Sequence, residues 1–414
     1  MAIRPWKPKP LTITPEQTVE QRIAGRYVCT VTWGSLEEAE KGKNRPYRMR
    51  DAHPLHDGLV SRIGWWGEQV VGHVGVIRMP IRLGRATLLA AGIAGVCADP
   101  RARNRGIASA LMRDSLAACK DAGYSFSLLF GIANFYHRFG FVPAWPKHTI
   151  LAKAQDLPPV PRWRARKARQ NDLPHVMDYY NQLYGAMDGT AVRDPRVVFR
   201  RKREIRMILK GPGRQDWAYV ICCVAKMDEV EQLVVLEAAG TGDDWPAAVA
   251  AWASRHAAKL GKQNVVFHQS PGHPVSQLLI FRSATHRSEH FRNAFAMVAV
   301  LDFAGLAREM APEWCSRLAA AGAIVPKNGL TVRFRDEYYR WWPDRNDGRT
   351  ERLPQGPKKV DAEFNDAMAR LVMGYGDPEA VMHQYGMRAA PAALPALRAM
   401  FAERQCSFSP VDFF

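Results

Sequence analysis

The 414-residue chain has no run of about 20 uninterrupted apolar residues, the length a helix needs to cross a bilayer. Its longest apolar stretch, Ala86 to Ala98, is broken by Gly92 and Gly95 and stopped by Asp99-Pro100, so it reads as a buried strand. No apolar segment follows the basic, proline-rich start from Met1 to Pro10. A signal peptide is therefore not expected, and a cytoplasmic location is. The seven cysteines are odd in number and never spaced as CxxC, which argues against a disulfide framework or a zinc site. The pairs His53/His56 and His286/His290 lack a cysteine or well-placed carboxylate nearby, so no metal is expected. Although the formal charge is +18, there is no zinc-finger or helix-turn-helix pattern and no basic helix interleaved with aromatics. Nucleic acid is thus not an expected partner. The basic excess falls in roughly the first three hundred residues, and attraction for a polyanionic cofactor plus a solvated basic surface accounts for it.

The chain is too long for one ordinary core, and its patterning divides it. In the first segment, Pro15–Gly25 and Ser35–Lys43 look helical. Val60–Trp66, Gln69–Arg82 and Ala86–Ala98 then form an antiparallel meander joined at Gly67-Glu68 and Leu83-Gly84-Arg85. A helix from Ile107 to Gly123 and a strand over Ser125–Phe130 complete a strand–turn–helix–strand unit, which puts the turn where ligands bind in such folds. The proline-rich stretch Leu157–Pro161 marks a linker. Beyond it the same order returns: a segment from Arg164 to Leu183, strands at Asp216–Lys226 and Gln232–Ala239, helix Trp245–Leu260 and strand Asn264–His268. A third segment opens with a strand at Ala294–Asp302. It carries helices at Phe303–Ala321, Phe364–Met373 and Pro391–Ala402, with strands around Leu330–Asp336 and Glu351–Leu353.

The chemically informative run is Val96-Cys97-Ala98-Asp99-Pro100-Arg101-Ala102-Arg103-Asn104-Arg105-Gly106-Ile107-Ala108-Ser109. Arg103, Gly106 and Ala108 fit Arg-x-x-Gly-x-Ala at the start of a helix. A pyrophosphate needs convergent backbone N–H donors, which a helix's first turn supplies together with a positive dipole end. Gly106 lets the backbone approach without a Cβ, Ala108 keeps that approach open, and Arg101, Arg103 and Arg105 add charge. After the next strand comes Asn134-Phe135-Tyr136-His137-Arg138-Phe139-Gly140-Phe141. On composition alone Tyr136 is equally a core aromatic, and Cys97 is a small core residue rather than a nucleophile.

These two motifs together resemble motifs A and B of the GNAT superfamily of N-acetyltransferases. Over nearly the full length the chain is similar to the enhanced intracellular survival (Eis) family of bacterial acetyltransferases. That resemblance implies an α/β (α+β) protein of two tandem GNAT-like mixed-sheet domains plus a sterol-carrier-protein-like α/β domain. The catalytic domain would span 1–156, a second domain lacking the cofactor turn 157–293, and the third 294–414. It implies acetyl-CoA as co-substrate, held by Val96, Cys97 and Ala98, by the turn from Arg103 through Asn104, Arg105, Gly106, Ile107 and Ala108 to Ser109, and by Gly131, Ile132 and Asn134. It further implies Tyr136 as general acid, the carboxylate of a terminal Phe414 as general base, a small-molecule amine acceptor and a homo-hexamer. The acceptor itself stays open. Phe413 stands where aminoglycoside-acetylating members carry an acidic residue next to the terminal Phe, with Asp412 one place earlier, and Gly131-Ile132 replaces a Ser-Glu pair. Glu37, Glu38, Glu40, Asp51 and Asp57 are candidate pocket acids, though a solvated face explains them as well. A non-catalytic protein that binds CoA or carries a lipid in its C-terminal domain is the alternative.

Overall fold

The computed structural model describes residues 6–43, 53–157, 163–201, 204–282 and 284–414. The first part of the chain supplies β1 (Leu11–Pro15), α1 (Val19–Trp33), α2 (Leu36–Lys43), β2 (Arg62–Trp66), β3 (Gln69–Leu83), β4 (Ala86–Ala98), α3 (Ile107–Asp121), β5 (Phe126–Gly131), β6 (Val142–Pro143) and β7 (Lys147–Lys153). The helix expected from Pro15 begins later: residues 11–15 pair with β2, and Thr18 caps α1 in a reciprocal box with Gln21. Next come β8 (Arg164–Lys167), α4 (Leu173–Tyr184), β9 (Ile205–Lys210), β10 (Trp217–Met227), β11 (Val230–Thr241), α5 (Trp245–Lys259), β12 (Asn264–Phe267), α6 (Pro274–Ile280) and β13 (Thr285–Glu289). The last part holds β14 (Phe295–Val300), α7 (Phe303–Ala321), β15 (Leu330–Phe334), β16 (Glu337–Trp341), β17 (Thr350–Leu353), β18 (Ala362–Phe364), α8 (Met368–Val372), α9 (Pro378–Gln384), β19 (Arg388–Ala389) and α10 (Leu394–Met400). The expected helix Phe364–Met373 is shorter than its pattern, because Ala362–Phe364 pairs with β15 and β19.

Three mixed sheets result, in the orders β1-β2-β3-β4-β5-β14-β6, β13-β7-β12-β11-β10-β9-β8 and β17-β16-β15-β18-β19. Sheet membership crosses both boundaries drawn on the sequence. β7 precedes residue 156 yet lies in the second sheet, between β13 and β12, while β14 follows residue 293 yet lies in the first, between β5 and β6. The apolar run Ala296–Val300 is wholly buried, as a strand covered on both faces must be. Its composition tells that it is central but not whose centre it occupies. Leu157 remains described after β7, and Pro158–Pro161 of the linker lie outside the described residues.

Two layers of core flank the first sheet. On one face Ala91, Ile93 and Leu129 pack with Ile107, Leu111 and Met112 of α3 and with Tyr136. On the other, Ala90, Phe126 and Leu128 join α7 and the third sheet in a continuous core against which Phe413 and Phe414 pack. The third sheet fills its own centre with aromatic rings. Trp314 and Trp341 stand edge to face at 5.0 Å, and Trp314 meets Phe401 at 5.8 Å.

The C-terminal segment is fastened by a buried ion cluster. Arg193 donates to Glu237 on β11 at 2.6 and 2.8 Å and to Asp412 at 2.7 and 2.8 Å. All three side chains are essentially inaccessible, at 0%, 0% and 1% exposure. Tyr219 donates to Glu237 at 2.8 Å, the Ser409 hydroxyl donates to it as well, and the Tyr180 ring lies under the guanidinium at 3.6 Å. Burial opposes ionisation of Glu237, but Arg193 and the two hydroxyls hold its pKa below the ordinary carboxylate value. Asp412, with fewer partners, is raised by burial. Removing the one cation leaves two like charges in a dry site, where breaking a buried pair typically costs about 3–5 kcal/mol. Arg193→Leu is therefore expected to lower the free energy of unfolding by an amount in that range, read from a lower urea midpoint at unchanged m. An unchanged midpoint would mean that the cluster contributes nothing to holding the segment.

Candidate active site

The site is built around a place where two strands stop pairing. β4 and β5 run parallel from Ala90/Phe126 to Ile93/Leu129 and no further, although both strands continue. The divergence follows from a bulge. Between β3 and β4 the register shifts from His73/Cys97 to Gly75/Ala94, placing an extra residue on β4, and Gly95 there adopts φ +57°. An L side chain is strained at that angle, which is the reason for glycine. Past the bulge, Val96–Ala98 have β3 on one side and no strand on the other. Of their backbone groups, the Ala98 carbonyl accepts from the Thr32 hydroxyl at 3.3 Å.

The turn after β4 carries its own geometry. Asn104 and Gly106 both have positive φ, +61° and +75°, so successive amides around Arg105 turn toward one concavity. Gly106 is the N-cap of α3 and no side chain caps that end, leaving the N–H groups of Ile107, Ala108 and Ser109 for an anion. A Cβ on Gly106 would meet nothing within 4 Å, so its requirement is conformational. Arg103 and Arg105 are exposed beside the turn. Arg101, read from sequence as a third phosphate-side charge, is otherwise engaged: it chelates Asp99, 2.7 Å at the shorter contact, and stacks on Trp6 at 3.9 Å. It anchors the turn instead of projecting from it.

Tyr136 opens a short helical turn after β5 and is 8% exposed. Its ring crowds Gly131, where any Cβ would collide with the ring carbons, and stands edge-on to Phe135 at 4.9 Å. Gly131 thus serves by making room for Tyr136. Burial, assisted by the neighbouring Cys97, pushes the phenol up to about 12. Ile132 is exposed, and Asn134, at φ +59°, is tied through its backbone and side chain to Asn293 at 3.0 and 3.2 Å.

Phe414 arrives from the opposite face. A Cβ at Gly92, on β4 one residue before the pairing ends, would lie 2.7 Å from its ring. The chain is led there by a cluster centred on Phe130 of β5, with ring centroids at 3.9 Å to Phe413, 5.4 Å to Phe408 and 5.9 Å to Phe414. Arg201 donates to the carbonyls of Pro410, at 3.0 Å, and Phe413. Beside Phe414 is a cavity of about 300 Å³ whose lining includes His53, Leu55, Met79, Asp194, Arg200 and Arg201. Burial and the charge of Arg200 hold His53 down at about 4, so its imidazole is neutral near pH 7.

The candidate acids do not converge on this cavity. Glu37 pairs with Lys41, Glu40 accepts from Tyr27 at 2.7 Å, and Asp57 accepts from Tyr124 at 2.7 Å and from the Leu59 amide. Glu38 is exposed, and Asp51 lies outside the described residues. Sequence reasoning did not single out Gly92, Phe130, Arg193, Arg201 or Glu237. One signal was present: Glu237 is a lone charge inside the apolar strand Leu233–Ala239, and such a charge needs a partner.

Comparisons agree with this geometry. The sequence model of the acetyltransferase (GNAT) domain family matches residues 35–144, so the chain carries a GNAT acetyltransferase domain and is a transferase. Over 98% of its length it shares the fold of several solved structures. They include a GCN5-related N-acetyltransferase from Anabaena variabilis (15% identity, all of that chain covered, TM-score 0.71) and one from Kribbella flavida (18%, 98% covered, 0.68). Eis1 from Mycobacterium abscessus is a third (14%, all of that chain covered, 0.61). At these identities the likeness is one of fold. Among proteins of curated function, none matches in sequence.

A raised pKa means that the neutral, proton-donating form of Tyr136 persists well above the ordinary tyrosine range. In an alkaline absorbance titration, wild type minus Tyr136→Phe should show no tyrosinate from this position up to about pH 10, where an ordinary tyrosine is half ionised. A normal titration there would contradict the burial described.

Proposed function

We propose that the protein is an acetyl-CoA-dependent N-acetyltransferase that moves the acetyl group directly to an amine, with no covalent enzyme intermediate. The observation that carries this reading is the parting of β4 and β5 after Ile93/Leu129, with Tyr136 on the face shared with α3 and Phe414 on the other. A donor seated at the helix N-terminus can then meet an acceptor entering from the cavity side.

The co-substrate supplies an activated thioester. The amides of Asn104 to Ser109 hold its pyrophosphate, with Arg103 and Arg105 beside it, and the backbone of Val96, Cys97 and Ala98 aligns the pantetheine arm along the unpaired edge of β4. Gly131, Ile132 and Asn134 form the facing lip. Attack requires a neutral amine, so the α-carboxylate of Phe414 takes its proton, directly or through a water. Tyr136, still protonated, hands its own proton to the departing sulfur. Its raised pKa suits a donor and rules it out as a base at neutral pH. Cys97 is buried and takes no part in bond making.

The acceptor belongs among amines of the aminoglycoside, polyamine or lysine-like kind. Arg200 and Arg201 in the cavity wall make a densely cationic acceptor the poorest electrostatic match, because Asp194 is already bonded to Arg196 at 2.7 Å. A lysine-like amine fits better. The third domain's centre is closed by its own rings, which favours catalysis over carriage of an apolar ligand. We extend the Eis resemblance to a hexameric assembly, which light scattering tests.

Release of free CoA thiol, followed with an amine panel, tests the whole reading. Tyr136→Phe is expected to reduce kcat about 10²-fold or more, as loss of a general acid does, with little change in acetyl-CoA affinity. Extending the chain beyond Phe414 by one residue should do likewise by moving the carboxylate. Gly92→Val, which displaces the Phe414 ring, is expected to follow the extension. Undiminished turnover in all three would remove both role assignments, and no CoA release with any amine would remove the activity.

A further inference from the structure

Beneath the bulge of β4, three ligand-type side chains from three elements converge: Cys29 of α1, His73 of β3 and Cys97 of β4. Cys29 Sγ lies 3.6 Å from Cys97 Sγ and 3.4 Å from His73 Nδ1, and all three atoms fall within 4.8 Å of one another. A tetrahedral zinc ion with Zn–S of ~2.3 Å and Zn–N of ~2.05 Å sets S···S near 3.8 Å and S···N near 3.6 Å. The two short spacings match those edges to within a few tenths of an ångström before any atom moves. A disulfide, at ~2.05 Å, would need the two sulfurs to close by about 1.5 Å between a helix and a strand. The Gly95 carbonyl, 2.9 Å from His73 Nδ1 and 3.7 Å from Cys29 Sγ, stands near a fourth corner.

The surroundings are those of a supported ligand set. Glu16 Oε2 lies 3.2 Å from His73 Nε2 and 2.9 Å from His56 Nε2, so it orients the imidazole from behind, as carboxylates do for metal-bound histidines. His73, Cys97 and Glu16 are all buried. The side chains are 44 and 24 positions apart in sequence, which is why no motif announced them.

We propose that Cys29 Sγ, Cys97 Sγ and His73 Nδ1 form a binding site for a zinc-like divalent cation, with the Gly95 carbonyl or a water in the fourth position. Uptake expels three protons to solvent: one from each thiol and the one on Nδ1. Glu16 keeps the proton on Nε2. The ion joins α1, β3 and β4 at the bulge that frees Val96–Ala98 and so fixes the strand that aligns the donor. This inference does not depend on the identity of the acceptor.

The reduced, chelator-treated full-length protein titrated with Co²⁺ should develop thiolate-to-cobalt charge-transfer bands and tetrahedral d–d bands, one ion per chain, displaced by Zn²⁺. Cys29→Ser and Cys97→Ser should each abolish the charge-transfer pattern, and Glu16→Gln should weaken Zn²⁺ binding by about 10–100-fold. Should the serine variants fail to fold, the wild type still decides: Zn²⁺ must slow alkylation of Cys29 and Cys97 relative to the other five cysteines. Absence of the bands overturns the proposal. So does their persistence in folded serine variants, equal alkylation with and without Zn²⁺, or a Cys29–Cys97 disulfide in protein that takes up no metal once reduced.

Discussion

One buried cation holds the architecture of the site together. Arg193 bonds simultaneously to Glu237 in the second sheet and Asp412 near the chain's last described residue, with all three side chains withdrawn from water. Glu237 alone balances the guanidinium's charge, and the arriving segment adds the carboxylate at 412 that accepts from its Nε and Nη2, so the segment is held by hydrogen-bond geometry as well as by charge. Once Asp412 is fixed, Phe413 and Phe414 are one and two residues from it and have nowhere to go but the rings around Phe130 and the bare backbone at Gly92. The group nearest the cleft between β4 and β5 is thus positioned by an ion cluster in a different sheet.

The exchange of strands between sheets serves the same end. β7 leaves the first segment to enter the second sheet and β14 returns to the first, so neither sheet is complete without the other's chain. β14 pairs along β5 from Phe126 to Gly131, the strand whose far end forms one lip of the opening. With β5 held on that side by hydrogen bonds, its departure from β4 on the other becomes a fixed gap. Burying Met297, Val298 and Ala299 completely makes that gap expensive to close or shift.

Much of this was legible in the residues, and the division is instructive. β4 and α7 have the bounds that their patterns predict, because each is a long segment with clear punctuation: Asp99-Pro100 after one, Gly322 after the other. The turn before α3 was readable because its requirement is local, a glycine and a small residue at a helix start. Partnership was not. Nothing in Phe295–Val300 names β5 as its neighbour, and nothing in the residues around Arg193 names Asp412, more than two hundred residues on. From the sequence, Asp412 lies one place before the position where aminoglycoside-acetylating relatives carry an acid. Its carboxylate is consumed by Arg193 and Tyr180 instead, because a buried acid takes the nearest buried cation before it can serve a substrate.

The second sheet shows what happens when the same opening is not kept free. β11 and β12 also run parallel, and their pairing stops at Val235/Phe267, where β12 ends and β11 continues past a register shift that leaves an extra residue on it. In the first sheet the parting is bordered by glycines at 92, 95 and 131. In the second it is filled: Tyr184 and His273 both reach the Ala238 carbonyl, at 3.2 and 2.9 Å, and Glu237 takes Arg193. The following helix differs in kind as well. α5 begins at Asp244 with Pro246 in its first turn, so it offers a negative charge and one fewer N–H where α3 offers Gly106 and open amides. By charge and open donors alone, the start of α5 disfavours an anion and the start of α3 favours one. The parting in the second sheet is therefore occupied by an anchorage, and what it anchors is the C-terminal segment.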